Sequence, residues 1–329
     1  MKRDEHPIDR VEDHAVKDYR SGMPATPPTQ PDEQHAGHEN RTLWGDAWQR
    51  LRKNRLAVIA LIWLFIVTTA AVTADLWVPQ VFGSPTVFST SGAAELRLKP
   101  PTLAHPMGTD DVGRDLFARV IYGSRISLTV GVLAVVVSLV IGLILGSLSA
   151  FYGGILDAFI MRIADIFLAF PYILFAILLL SVLPDNLRGI TPVFLTIGIL
   201  GWPSIARVFR SSVLSVKEND YVEAGRALGA SDLRLMLRHI LPNAVAPIIV
   251  YGTMSVGGAI LTEAALSFLG LGLPPGSPSW GGMIQDGRIY LTSSPGVVLW
   301  PGLAILSTVL AFTLLGDGIR DALDVKMKD

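Results

Sequence analysis

Residues 126–150 read ISLTVGVLAVVVSLVIGLILGSLSA, twenty-five consecutive positions without a charged side chain. About 20 apolar residues carry a helix across the hydrocarbon core of a bilayer, so this run is long enough to span one. Its apolar residues are continuous and do not alternate, which excludes the strand of a membrane barrel. Within lipid only a helix satisfies its own backbone groups. Five further uncharged stretches of suitable length occupy residues 56–74, 166–184, 189–206, 243–262 and 289–316. The sequence therefore predicts an all-α, polytopic membrane protein with six transmembrane helices. Composition agrees, since half of the 329 residues are hydrophobic and only 17% are charged. Within residues 126–150, Ser138, Gly142, Gly146 and Ala150 recur every fourth residue and stack small side chains on one helix face. That pattern lets a second helix approach closely, and the spacing leaves open whether the neighbour belongs to this chain or another.

The flanks divide the chain. Residues 1–40 carry five Lys/Arg against nine Asp/Glu, with Pro24, Pro27, Pro28 and Pro31, a composition expected to form a disordered cytoplasmic tail. It is not a signal peptide, because the first apolar run begins only at Leu56. Four of the six histidines (His6, His14, His35, His38) lie there at spacings that match no defined ligand set. The chain has no cysteine, which excludes thiolate metal sites, disulfides and thiol catalysis. Residues 41–125 comprise an interfacial helix, the first span and an outer loop. In that helix Leu43, Trp44, Ala47, Trp48 and Leu51 recur at helical spacing with Arg50, Arg52 and Lys53 interleaved, so tryptophans would sit at headgroup depth with cations toward anionic lipid. Residues 126–329 form a five-helix core interrupted by a charged loop at 211–242.

Six spans place both termini on one side. With that side cytoplasmic, fourteen basic residues lie inside: Arg41, Arg50, Arg52, Lys53, Arg55, Arg207, Arg210, Lys217, Arg226, Arg234, Arg238, Arg320, Lys326 and Lys328. Seven lie outside: Arg97, Lys99, Arg114, Arg119, Arg125, Arg188 and Arg288. The excess follows the positive-inside rule, although five of the seven fall in a first outer loop long enough to weigh less.

Between the fourth and fifth spans stands an island of charge, Glu223-Ala224-Gly225-Arg226-Ala227-Leu228-Gly229, followed thirteen residues after the glycine by Pro242. Asp220 and Glu223 have capping-box spacing, Gly229 supplies the left-handed residue that ends helices, and Ser231 is placed to cap a second helix to about Leu241, where Pro242 opens the next segment. The expected form is a helix-Gly-helix knob.

At this point the chain resembles a known family. Glu-Ala-small, three residues, Gly, then Leu-Pro resembles the coupling loop of the permease subunits of binding-protein-dependent ABC importers. Position 239, usually isoleucine in the wider family, is His239, and Arg238-His239-Ile240-Leu241-Pro242-Asn243 is similar to the peptide/nickel branch, the dipeptide and oligopeptide permease C type. Two further segments point the same way: His105-Pro106-Met107-Gly108-Thr109-Asp110-Asp111-Val112-Gly113-Arg114-Asp115, and Glu263-Ala264-Ala265-Leu266-Ser267-Phe268-Leu269-Gly270-Leu271-Gly272 leading to Pro278-Ser279-Trp280-Gly281. The resemblance covers about Leu43 to the C-terminus. It implies a fold of the type I ABC importer kind and a multi-pass protein of the cell (inner) membrane. It implies half of a path for di- or oligopeptides, a sister permease subunit, two ATP-binding subunits holding ATP and Mg, and an extracytoplasmic substrate-binding protein. Related permeases pass peptides, nickel chelates or glutathione, so the exact ligand stays open. Glu223, Ala224, Gly225, Arg226, Gly229, Leu241 and Pro242 would couple the spans to the ATPase, where small side chains permit close approach.

Glu223 has no nucleophile, base or metal-ligand set beside it, and the chain has no Gly-x4-Gly-Lys-Ser/Thr phosphate loop. No catalytic site, cofactor or nucleic-acid partner is expected of this chain. Arg162 and Asp165, three apart at the inner end of the third span, are spaced to pair on one face. Glu263 falls near the outer end of the fifth span, where a carboxylate needs water, a partner or a cavity. Two readings stand: a hydrogen-bonded anchor for the outer loop at 271–287, or a contact on the substrate path for the amino group of a passing peptide. A stand-alone channel or ion-coupled secondary transporter would carry several ionisable residues deep in its spans or a visible repeat, and the span centres here are nearly free of charge. A membrane-embedded enzyme lacks any His/Asp/Glu constellation to support it. The orientation is testable in a chain without native thiols: Ser231→Cys should react with an impermeant thiol reagent in inside-out vesicles alone, and labelling of intact cells would reverse the assignment.

Overall fold

The computed structural model describes residues 43–82, 93–184, 187, 189–274 and 276–324. The expected disorder of residues 1–40 and their histidines lies outside these residues, as do Arg41, Arg188, Lys326, Lys328 and the side chains of Leu43 and Trp44. Among the described residues the regular elements are helices. An amphipathic helix α1 (Leu43–Lys53) precedes α2 (Arg55–Phe82). Asn54 joins them, its side-chain oxygen accepting from the Ala57 amide at 3.2 Å. After a short α3 (Ala93–Leu96) come α4 (Leu116–Tyr152), α5 (Gly154–Ala169), α6 (Tyr172–Ser181) and α7 (Ile190–Lys217). The knob then carries α8 (Asp220–Ala227), α9 (Asp232–Leu235) and α10 (Leu241–Ala244), followed by α11 (Ala246–Phe268), α12 (Trp280–Gly287) and α13 (Gly296–Leu323).

Helices α2, α4, α7, α11 and α13 are each long and apolar enough to cross a membrane. The third span differs from the expectation. Residues 166–184 are not one helix, because α5 and α6 meet at an angle of 87°. Pro171 stands at the break: it has no N–H to donate, and its ring would strike the carbonyl one turn back. The span also starts earlier than its hydropathy suggested, at Gly154, so Asp157, Arg162 and Asp165 lie on helix. Asp165 does not pair with Arg162 as its spacing predicted. It pairs with Arg207 of α7, a partner that same-helix spacing does not show.

The stripe on α4 meets α7 of this same chain. A side chain at Gly142 would stand 2.6 Å from Ile205, and one at Gly146 2.8 Å from the Ala206 carbonyl. Ser138 donates to the Gly198 carbonyl across the seam at 2.7 Å. Around this pair, α13 packs on α2, α11 and α1, with Arg50 of α1 donating to the Asp324 carbonyl at 3.1 Å. Ala47 turns inward on α1 while Trp48 is 52% exposed.

Gly146→Val should lower the melting temperature of the detergent-purified protein by the equivalent of about 1–3 kcal/mol, because the new methyls meet main chain that cannot step aside. Gly302→Ala in α13, where an added Cβ meets nothing within 4 Å, should hold or raise it. Equal melting of Gly146→Val and the parent would show that α4 and α7 do not touch.

Candidate coupling surface and transport path

The knob is built by local rules, with two departures. Helix α8 is capped by Asn219, not Asp220, and without a side-chain cap bond. The Asn219 carbonyl accepts from Val222 N at 2.9 Å, which leaves Asp220 in the first turn, where a carboxylate favours the positive end of the helix dipole. Gly229 adopts φ +81°. Ala230 N reaches back to the Gly225 carbonyl at 3.1 Å, the six-to-one bond of a Schellman terminus. The second departure follows Ser231, which caps α9 through its backbone conformation alone. The expected helix to Leu241 is interrupted by a π turn over Met236–Ile240, and the Leu241 amide bonds to the Met236 carbonyl. Directly after it stands Pro242, and the wider turn makes room for a ring that an α-helix would press against the preceding turn.

One side of the knob is core. Val222, Leu235, Ile240 and Ala244 are buried in a single cluster with Ile205, Phe209 and Val213 of α7. Gly225 belongs to this inner side in part, since a Cβ there would stand 3.0 Å from Leu235. The other side is open. Leu228 is 88% exposed, Leu233 69% and Leu237 56%, with Tyr221, Glu223, Ala224, Arg226, Gly229 and Pro242 also exposed and Leu241 half-buried. Three bare leucines on a short charged segment outside the spans make an apolar patch, the usual mark of a protein contact.

Residues that sequence reasoning passed over fasten this knob to the bundle. Asp157 of α5 takes both 2.6 Å bonds of Arg210 and a third from Ser149. Lys217, the last residue of α7, donates to the Phe151 carbonyl at 2.6 Å and lies over its ring. The turn between α4 and α5 is thereby tied to the root of the knob. The available signal was charge at helix ends; the pairing spans 53 residues and has no local trace.

Between α4, α6, α7 and α11 lies a cleft of about 540 Å³, lined by Ser138, Tyr172, Ser204, Tyr251, Ser255 and Thr262 among small apolar residues and carrying no charge. That volume is in the range of small-molecule sites. Glu263 is next in sequence to Thr262 but is turned away and fully buried. Its carboxylate accepts from Ser127 of α4 at 2.8 Å and Ser267 at 2.7 Å, with Ser279 facing it. Ser279 in turn caps α12 by accepting from Gly282 N. Trp280 donates to the Val120 carbonyl at 2.9 Å.

Outside the spans, Asp110 accepts from Arg114 Nε at 2.7 Å, Arg119 at 2.6 Å and the Val112 and Arg114 amides. Asp115 caps α4 and contacts His105 at 2.8 Å. Burial pushes the Asp286 carboxyl above its ordinary range, with Arg114 opposing and Asp111 and Asp110 reinforcing.

A helical membrane chain with an uncharged central cleft and a protruding helical knob has the build of a transporter's membrane subunit. Residues 138–329 match the family described as binding-protein-dependent transport system inner membrane component, and residues 42–101 match the N-terminal TM domain of oligopeptide transport permease C. The chain belongs to the binding-protein-dependent transport system inner membrane components, the permease subunits of ABC importers. It is 40% identical over 316 residues to the dipeptide transport system permease protein DppC of Alkalihalophilus pseudofirmus, covering 96% of this chain and 99% of that one. It is 41% identical to the oligopeptide transport system permease protein OppC of Bacillus subtilis, over 90% of this chain and 94% of that one. The glutathione transport system permease protein GsiD of Pectobacterium atrosepticum is 40% identical over 88% of this chain and 93% of its own. A chain of the MetNI methionine ABC transporter, solved in inward-facing conformations, shares the fold with a TM-score of 0.53 at 21% identity over 63% of this chain and 96% of that one.

Of the two readings of Glu263, the geometry supports the anchor. Glu263→Ala, which leaves buried hydroxyls without an acceptor, should destabilise the purified protein by about 1–3 kcal/mol. Glu263→Gln should cost less and leave the uptake ratio of free to N-acetylated peptide unchanged. A changed ratio would return the side chain to the substrate path.

Proposed function

We propose that this chain is one of two related membrane subunits of an importer for di- or oligopeptides, with both termini in the cytoplasm. A sister permease would close the open side of the central cleft. Two ATP-binding subunits would supply ATP and Mg, and an extracytoplasmic binding protein would deliver cargo. The observation that carries the reading is the two-sided knob, apolar and exposed on one side and fused to the core of α7 on the other. The peptide cargo is supported by the names of the relatives, whose dipeptide, oligopeptide and glutathione substrates share amide chemistry.

In this reading Leu228, Leu233 and Leu237 enter a groove of the ATPase, while Glu223, Ala224, Arg226 and Gly229 fit its rim. Closure of the ATPases moves the knob. Because Val222, Leu235 and Ile240 share a core with Phe209 and Val213, α7 follows, and Asp157–Arg210 and Lys217 carry α4 and α5 with it. The cleft wall then re-opens toward the other side. Coupling of this kind requires the ATPase to bind the two membrane states with different affinity, since equal affinity shifts no population.

Leu237→Asp places a charge in the proposed contact without touching the buried side of the knob. The substituted permease should insert normally but lose its ATPase on co-purification, and peptide uptake should fall with it. Gly229→Val, strained at a left-handed backbone by about 1–2 kcal/mol, should depress uptake and substrate-stimulated ATP hydrolysis together, and Gly229→Asn should depress them less. Retention of the ATPase by Leu237→Asp would remove the knob from the coupling contact.

A further inference from the structure

A second cleft, of about 420 Å³, adjoins the first on the side of the helix ends. It is lined by Val208 of α7, by Ala246, Pro247 and Val250 at the start of α11, and by Arg320 and Leu323 at the end of α13. The two clefts share two lining residues, Tyr251 and Met254. Both lie on α11, within one turn of each other, so they form the partition between a central and an inner chamber. Met254 is held in place. Its side chain lies over Gly316 of α13, where a Cβ would stand 2.3 Å from its Cγ. Tyr251 rests on the cluster formed by Ile205, Phe209 and Ile248.

The hydrogen bonds of the central cleft single out the same place. Six hydroxyls line it. Those of Ser138, Tyr172, Ser255 and Thr262 donate to main-chain carbonyls, with Tyr172 reaching Ile197 at 3.0 Å and Ser255 reaching Tyr251 at 2.7 Å. The Tyr251 phenol and the Ser204 hydroxyl make no hydrogen bond among the described residues. A tyrosine hydroxyl at a partly buried position ordinarily finds a partner. Two free donors, on facing helices, beside a partition of bulk and in a central cleft whose lining carries no charge, suit a neutral acceptor; the charges of Arg320 and Asp324 line the inner chamber on the other side of the partition.

We propose that Tyr251, backed by Met254, is the threshold between two chambers of the transport path, and that its phenol, with the Ser204 hydroxyl, donates to main-chain carbonyls of a peptide as it crosses. The proposal rests on the reading of this chain as a peptide permease subunit. It adds a binding site for the amide group and a barrier that depends on aromatic bulk. The uncharged lining of the central cleft matters, because a salt bridge there would hold the cargo, whereas neutral hydrogen bonds let it pass.

The test uses the assembled complex in inside-out vesicles without nucleotide, with single cysteines in a chain that has none of its own. Ser231→Cys on the knob reports the exposed face. Val250→Cys in the inner chamber should react quickly with a soluble thiol reagent and Ser255→Cys in the central chamber slowly. Adding Tyr251→Ala should raise the Ser255→Cys rate to that of Val250→Cys, whereas Tyr251→Phe, which keeps the bulk, should leave it unchanged. Tyr251→Phe should instead lower peptide uptake roughly two- to tenfold, the worth of one neutral hydrogen bond. A Ser255→Cys rate that ignores Tyr251→Ala overturns the threshold, and normal uptake by Tyr251→Phe overturns the amide contact. If Ser231→Cys reacts and neither chamber cysteine does, the clefts are dry, and the path reading falls along with the proposal.

Discussion

The close approach of α4 and α7 is the contact on which the remaining architecture depends. In lipid no hydrophobic force draws helices together, so association rests on fitted surfaces and hydrogen bonds. Each heavy-atom contact gives only about 0.1–0.2 kcal/mol, and many must be made at once. Gly142 and Gly146 supply that opportunity by removing bulk where Ile205 and Ala206 arrive, and Ser138 adds a bond to the Gly198 carbonyl. Because α7 forms one wall of the central cleft and continues into the knob, this seam positions both. A shift of an ångström there would reach the cleft and the knob together.

Both ends of α4 are then locked by polar contacts. At its N-terminal end, Asp110 gathers Arg114 and Arg119, and Glu263 joins Ser127 to the start of α12. At its C-terminal end, Asp157 and Arg210 close over Ser149. The helix they hold has 37 residues in all, about 55 Å at the α-helical rise. It acts as the strut around which α7 and α11 are arranged. The bend of α5 against α6 is the exception to this stiffness. Backbone broken at membrane depth is tolerated where protein or a water-filled cavity covers it, and Tyr172, at the start of α6, borders the central cleft.

What the sequence disclosed was local. Apolar runs located the five long helices that can span a membrane, and Gly229 announced its left-handed turn because a single residue decides it. Helix ends were less visible: hydropathy reads Arg119 or Arg210 as leaving the membrane, whereas the helices continue through them in ion pairs. The bend at Pro171 was hidden in a uniformly apolar stretch, since proline kinks some helices and ends others, and the surrounding packing chooses. Asn219 and Asp220 are both able caps, one residue apart. Arg207, Arg210 and Ser127, which bond Asp165, Asp157 and Glu263, lie 42, 53 and 136 residues away, beyond any periodicity; of the bonds to Glu263 only that from Ser267 falls at helical spacing. The cleft itself was illegible, because it is a space between four helices and no motif marks it.

The π turn at Met236–Ile240 has a geometric consequence of its own. Successive residues of an α-helix are rotated by about 100°, so one extra residue wound into a turn re-aims everything downstream by nearly a third of a revolution. Helix α11 follows within a few residues, and its azimuth decides which side chains look into the cleft and which into the seams. The turn is thus an indexing device: it sets the phase between the face of the knob and the face of α11. A chain shortened by one residue there would keep its spans and its knob, yet present the wrong side of α11 to the cleft.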